Sequence, residues 1–100
     1  RIYCPQNDGT AMHIYDIASN TWQTGAPAPI NVYCNTSALY KDKIYIPCNN
    51  NVPLVIYDIS SNSWITGATP SSVVYRKTSQ LYNGKIYCPS ENGTVLDIYG

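Results

Sequence analysis

The chain has 100 residues, enough for one small domain with a modest core, and its formal net charge is zero with only 12% charged residues. A neutral chain lacks the basic stripe that binds nucleic acid or an anionic membrane surface, and no apolar run approaches the length that spans a bilayer. Ten tyrosines, many β-branched residues and no helical period predict an all-β fold. Because the sequence starts at Arg1, we expect a mature product or a fragment of a longer protein.

The sequence repeats with a period of 42 residues. IYDIASNTW at 14–22 returns as IYDISSNSW at 56–64, and residues 1–42 match residues 43–84 at 20 positions. Residues 85–100 then restart the unit, which gives about two and a third copies. A period of this size is typical of stacked supersecondary units, each of which needs a neighbour to bury its apolar face.

The first two predicted strands of the complete unit are VYCNTSALY (32–40) and KIYIP, which follow one another across Lys41-Asp42. The next unit has Asn83-Gly84 at the same place. Asn-Gly favours the type I′ turn, whose twist matches that of paired strands. The two segments are therefore predicted to form a hairpin.

The third and fourth predicted strands are PLVIYDI (53–59) and SWIT (63–66). Asp58 and Asn62 lie in the connection between them, where their side chains can accept hydrogen bonds from nearby backbone amides and shape a turn. Four antiparallel strands per period are typical of a propeller blade.

The predicted architecture is a partial propeller of tandem four-stranded antiparallel blades. Residues 1–24 supply strands two to four of one blade, 32–66 a complete blade, and 74–99 strands one to three of another. Further chain or other copies would have to complete it. Unpaired edges at its ends attract other strands, and such heterologous contacts close into a ring or grow into a filament.

Six side chains that repeat at this period are predicted to be structural rather than functional: Trp22, Trp64, Tyr15, Tyr57, Asp16 and Asp58. The two tryptophans are large enough to fill the space between adjacent blades. We expect replacement of either tryptophan by Ala to cost about 3–5 kcal/mol of folding free energy.

A hairpin ending in KIY, then YD, Asn and Trp, then a Gly and a Pro-containing linker resembles the Kelch repeat over the whole chain. The resemblance implies a β-propeller. Kelch repeats usually carry a Gly-Gly pair after the second strand, and this chain has other pairs there: Cys4-Pro5, Ile46-Pro47 and Cys88-Pro89. Because proline has no amide donor, we expect these positions where a ladder bond is missing.

No catalytic constellation is found in the sequence. The single histidine, His13, lies in the third strand where the other units have Val55 and Asp97, so we predict a surface position. One histidine without a Ser or Cys motif does not support a triad, and no spacing brings two carboxylates to one cleft. We predict no enzyme activity, no cofactor and no metal site.

The cysteines show no CxxC pattern of the kind that binds zinc. Cys34 and Cys48 are near neighbours across the predicted hairpin, which makes them a candidate disulfide. Cys4 and Cys88 share one repeat position two units apart, and we expect them to be buried free thiols. An even cysteine number with one candidate pair favours an extracellular setting.

Two sequons are present, at Asn92 and Asn35. Asn92 lies in a predicted loop and could carry a glycan, whereas Asn35 begins an inner strand and is less accessible. Chance alone accounts for two sequons in a chain this rich in Asn, Ser and Thr.

The loops between strands two and three and the loops between blades share one face of such an architecture. They are neutral and rich in Asn, Ser, Thr and Pro, and they are either solvated connections or a surface for a protein or glycan. The candidate contact residues in them are Asn49, Asn50, Asn51, Tyr33 and Tyr75.

Three functions remain open at this point. The first is a non-catalytic Kelch-like repeat module for protein interaction or self-assembly. The second is a structural subunit of an extracellular filament or ring. The third is a scaffold fragment of a larger propeller enzyme whose chemistry lies elsewhere.

Overall fold

The computed structural model describes residues 1–5, 9–32, 37–47, 53–69, 79–89 and 96–100. Over these residues the protein is all-β, as predicted, and none of them belongs to a helix that could span a membrane. Ten strands are present: β1 (Ile2–Pro5), β2 (Met12–Asp16), β3 (Thr21–Thr24), β4 (Ala38–Tyr40), β5 (Lys43–Ile46), β6 (Val55–Asp58), β7 (Ser63–Thr66), β8 (Gln80–Tyr82), β9 (Lys85–Pro89) and β10 (Leu96–Tyr99).

The strands form three antiparallel sheets, which follow one another at the period of the repeat. Sheet 1 has the order β1-β2-β3, sheet 2 has β4-β5-β6-β7, and sheet 3 has β10-β9-β8. The pairing is the same in each unit: Tyr15 lies opposite Trp22 in sheet 1, and Tyr57 lies opposite Trp64 in sheet 2. Within the described ranges none of the sheets closes on itself.

The predicted hairpin turns are confirmed by their backbone angles. Lys41 and Asp42 have φ of 49° and 62°, and Asn83 and Gly84 have φ of 52° and 77°. Two consecutive residues with positive φ are the signature of the type I′ turn. The turn pairs the flanking residues of β4 and β5, and of β8 and β9, directly across from one another.

The described residues differ from two of the predicted strands. Of the strand predicted at 32–40, Ala38–Tyr40 is confirmed, Val32 forms an isolated bridge with Gly9, and residues 33–36 lie outside the described residues. The strand predicted at 53–59 is confined to Val55–Asp58. By contrast, the strand predicted at 63–66 has the predicted bounds.

The prolines lie at strand ends. Pro5 and Pro89 are the last residues of β1 and β9, and Pro47 follows the last residue of β5. A proline at a strand end costs the sheet little, since the ladder does not continue there.

The buried apolar residues form two clusters, each of which lies between two neighbouring sheets. The larger cluster joins sheets 1 and 2, and we name this contact the first joint; its buried members are Met12, Ile14, Ala28, Val32, Ile44, Ile46, Val55 and Tyr57. The smaller cluster joins sheets 2 and 3, and we name it the second joint; its buried members are Ala38, Ile86 and Cys88. Sheet 2 is therefore covered on both faces, whereas sheets 1 and 3 are each covered on one.

Candidate functional site

The first joint is organised around Tyr57, which is almost fully buried. Its ring lies 6.0 Å from the ring of Tyr3 in sheet 1 and 5.1 Å from the ring of Trp64 in its own sheet. Its hydroxyl donates a hydrogen bond of 2.7 Å to Asn62 Oδ1. Burial raises the pKa of Tyr57 above its ordinary value, so the hydroxyl stays a neutral donor.

Side chains of sheet 2 hold both polar groups of the Ala26 peptide. The Ala26 amide donates to Asn62 Oδ1 at 2.9 Å, and Trp64 Nε1–H donates to the Ala26 carbonyl at 2.7 Å. Gly25 precedes this residue, and a Cβ there would lie 3.0 Å from both Tyr57 Oη and Asn62 Oδ1. Glycine therefore permits the close approach of the two units.

The second joint repeats part of this geometry one period later. Tyr45 and Tyr99 stand 6.0 Å apart, as Tyr3 and Tyr57 do. Gly67 takes the place of Gly25, and a Cβ there would lie 2.8 Å from Tyr99 Oη. The joint is thus a repeated structure.

Trp22 does not fill a space between sheets. Its side chain is 61% exposed, and its ring contacts Tyr15 at 5.1 Å within sheet 1. Trp64, in the same repeat position, is half-buried because sheet 1 covers it. The expected cost of about 3–5 kcal/mol on replacement by Ala therefore does not extend to Trp22, since an exposed ring loses little burial.

The two aspartates shape the predicted turns. Asp58 Oδ1 accepts hydrogen bonds from the Ser60 hydroxyl at 2.8 Å and from the Ser60 amide at 3.1 Å. Asp16 Oδ1 does the same for the amides of Ala18 and Ser19. The Ser60 hydroxyl lowers the pKa of Asp58, and the Ser19 amide lowers that of Asp16, because each bond favours the charged carboxylate.

Asn62 departs from the role that the sequence predicted. It adopts a left-handed φ of 51° in the turn, but its side chain bonds Tyr57 and the distant Ala26 instead of neighbouring amides. Asn20 has the same conformation with φ of 56°, and its Oδ1 accepts a bond from the Tyr15 hydroxyl at 2.5 Å. The left-handed asparagine and its bond to a tyrosine hydroxyl are present in both units. The bond from the asparagine to a neighbouring unit is present in the second.

Several candidate residues lie outside the described residues. They are the disulfide candidates Cys34 and Cys48, the sequons Asn35 and Asn92, and the loop residues Asn49, Asn50, Asn51, Tyr33 and Tyr75. The disulfide, the glycans and the extracellular setting they favoured stay predictions.

The titratable side chains in the described segments are dispersed. His13 is exposed on β2, as expected of a surface position. Cys4 and Cys88 are free thiols; Cys88 is buried as expected, which raises its pKa, while Cys4 is only half-buried. Within these segments no three His, Cys, Asp or Glu side chains come together as metal ligands would.

The sequence signalled the joint without revealing its role. Tyr3, Tyr45, Gly25 and Gly67 all repeat at the 42-residue period, and the structure places each of them in a joint. A glycine and a tyrosine that repeat with the same period could have indicated a contact between units, because close packing of two units requires a small residue facing a large one. No family model, curated protein or solved structure matches the chain.

Proposed function

We propose that the protein is a non-catalytic, Kelch-like repeat module that acts by binding protein, in which blade-like sheets stack side by side. The repeated joint is the observation that carries this proposal. The repeated aromatic, glycine and asparagine residues make contacts between units. Such contacts are typical of repeat proteins, whose stacked units form an extended binding surface.

The two faces of sheet 2 support the stacking. Tyr57 and its cross-strand neighbour Ile44 point to one face and pack in the first joint. Tyr45 lies on the opposite face and packs in the second joint with Ala38. A four-stranded antiparallel sheet with a like sheet on each face is the arrangement of a blade within a propeller.

The chemistry of the described surface supports a protein partner. The chain is neutral, and three exposed large apolar side chains, Tyr82, Leu96 and Ile98, lie on one face of sheet 3 by the strand register. Exposed aliphatic and aromatic groups with few charges are typical of the centre of protein interfaces.

The test is to detect both joints in solution. With 13C-labelled tyrosine at low protein concentration, we expect nuclear Overhauser effects between Tyr3 and Tyr57 and between Tyr45 and Tyr99. A folded protein without either cross-joint effect would overturn the proposal. Tyr15, which lies on the other face of sheet 1 from Tyr3, is the internal control and should show no effect to Tyr57.

A further inference from the structure

The repeat places the same residue types at the two ends of the array and in its middle, and their exposure differs. Ile2, Ile44 and Ile86 share one repeat position, yet Ile2 is 49% exposed while the other two are 6% and 2% exposed. Each sheet covers the isoleucine of the sheet that follows it. We call the face of sheet 1 that carries Ile2 the back face.

The opposite end shows the converse. Ile14, Ile56 and Ile98 share another position and are 8%, 4% and 54% exposed. Leu96, in the position of the buried Met12 and Leu54, is also half-exposed. We call the face of sheet 3 that carries Leu96 and Ile98 the front face.

The internal joints indicate what fits these faces. In each joint the front-face positions of one unit pack against the next unit, which meets them with its back-face positions. The front face of sheet 3 and the back face of sheet 1 thus carry the residue positions that form the two halves of an internal joint. The chain's zero net charge sets up no general repulsion between copies.

We infer that copies of this chain associate head to tail, with the front face of sheet 3 seated on the back face of sheet 1 of the next copy. This inference rests on the proposed stacking function and names its partner. The contact is heterologous, because two different faces meet, and it leaves a free front face and a free back face on every dimer. Further copies therefore add to a ring or a filament.

The contact between copies is expected to be small. Three strands about 4.8 Å apart, with four residues of about 3.3 Å each, give a face of roughly 10 by 13 Å. This is far below the roughly 800 Å² per partner of a standard interface. We expect reversible association at high concentration.

Sedimentation velocity from micromolar to millimolar concentration tests the association. We expect the weight-average sedimentation coefficient to rise with concentration. A wild-type chain that stays monomeric at millimolar concentration would overturn the inference. If the cross-joint Overhauser effects persist in that monomer, the proposed function stands and only the partner is wrong.

Two capping variants test the head-to-tail geometry. Ile98→Lys places a charge on the front face, and Ile2→Lys places one on the back face; each should weaken self-association at least tenfold, since a buried unpaired ammonium is costly. Mixed together, the two variants should form a heterodimer and nothing larger, because each keeps the face that the other has lost. A mixture that stays monomeric would show that the contact does not join these two faces.

Leu39→Lys is the matched control. Leu39 is an exposed leucine of sheet 2, away from both end faces, so its replacement should leave association unchanged. Circular dichroism checks that all three variants keep the wild-type fold. Equal loss of association in the control would overturn the assignment to the end faces.

Discussion

The first and second units build the same hairpin and bury it differently. Tyr15 and Tyr57 each stack on a tryptophan at 5.1 Å, and each bonds an asparagine in a left-handed conformation. Only in the second unit does a neighbouring sheet cover this group. The comparison teaches that the repeat encodes the local hairpin, while the neighbouring unit supplies the burial.

The largest expected effect separates the two tyrosines. Tyr57→Ala removes an almost fully buried ring and should lower the free energy of unfolding by about 3–5 kcal/mol. Tyr15→Ala loses one ring contact and one exposed hydrogen bond, about 1–2 kcal/mol. Urea denaturation measures both. Equal losses would break the comparison, since they would mean that burial in the joint contributes nothing.

Replacing the two tryptophans should change the free energy of unfolding in the same order, with a smaller difference between the two units. Trp64→Ala loses a half-buried ring and the bond to Ala26, which we expect to cost about 3 kcal/mol. Trp22→Ala should cost about 1 kcal/mol, the value of its pairing with Tyr15. Because the two residues differ in exposure, intrinsic fluorescence of the single variants adds a second readout: the emission of Trp22 alone should be red-shifted relative to that of Trp64 alone.

The glycines sharpen the comparison between the joints. Gly25→Ala crowds Tyr57 and Asn62, which are bonded to each other, and Asn62 also accepts the Ala26 amide, so we expect a loss of about 1–2 kcal/mol. Gly67→Ala crowds one side chain, Tyr99, which is half-buried where Tyr57 is almost fully buried, so we expect a smaller loss. Thermal unfolding compares them. A larger loss for Gly67→Ala would show that Tyr99 is as firmly held as Tyr57.

The smallest expected effect is that of the two aspartates on the acid dependence of stability. It should be the same in both units, because each aspartate bonds residues of its own turn. The folded-state pKa values of Asp16 and Asp58 lie below the ordinary value of 3.8, so the unfolded chain binds protons first as the solution is acidified. This contribution to stability is present above that value and is lost as pH falls through the folded-state pKa. Asp16→Asn and Asp58→Asn should each reduce the acid dependence of urea unfolding by a similar amount. Clearly unequal reductions would mean that the joint also acts on the turn.

Local features could be predicted from the sequence. The turns at Lys41-Asp42 and Asn83-Gly84, and the strand at 63–66, depend on residues that lie next to one another in the chain. Turn type and the alternation of apolar and polar residues along a strand are determined by such short segments.

Features that depend on the neighbouring unit could not be predicted in the same way. Asn62 bonds Ala26 across 36 positions, and nothing in its own turn indicates this partner. The exposure of Trp22 likewise depends on what lies beside sheet 1, although its own segment nearly matches that of Trp64. A repeat reveals which residues are equivalent, and only the assembled structure reveals which of them are covered.

The turn at Lys41-Asp42 has a consequence for the order of folding. Side chains with a Cβ are strained at positive φ, so this turn closes less readily than Asn83-Gly84, which tolerates the same conformation. Hairpin closure takes microseconds and precedes the packing of sheets, so β8 and β9 should pair before β4 and β5. Replacing Lys41-Asp42 by Asn-Gly should speed refolding in stopped-flow fluorescence, and an unchanged rate would mean that this turn forms after the rate-limiting step. Sheet 2, which packs against both neighbouring sheets, is therefore expected to begin pairing its strands later than sheet 3.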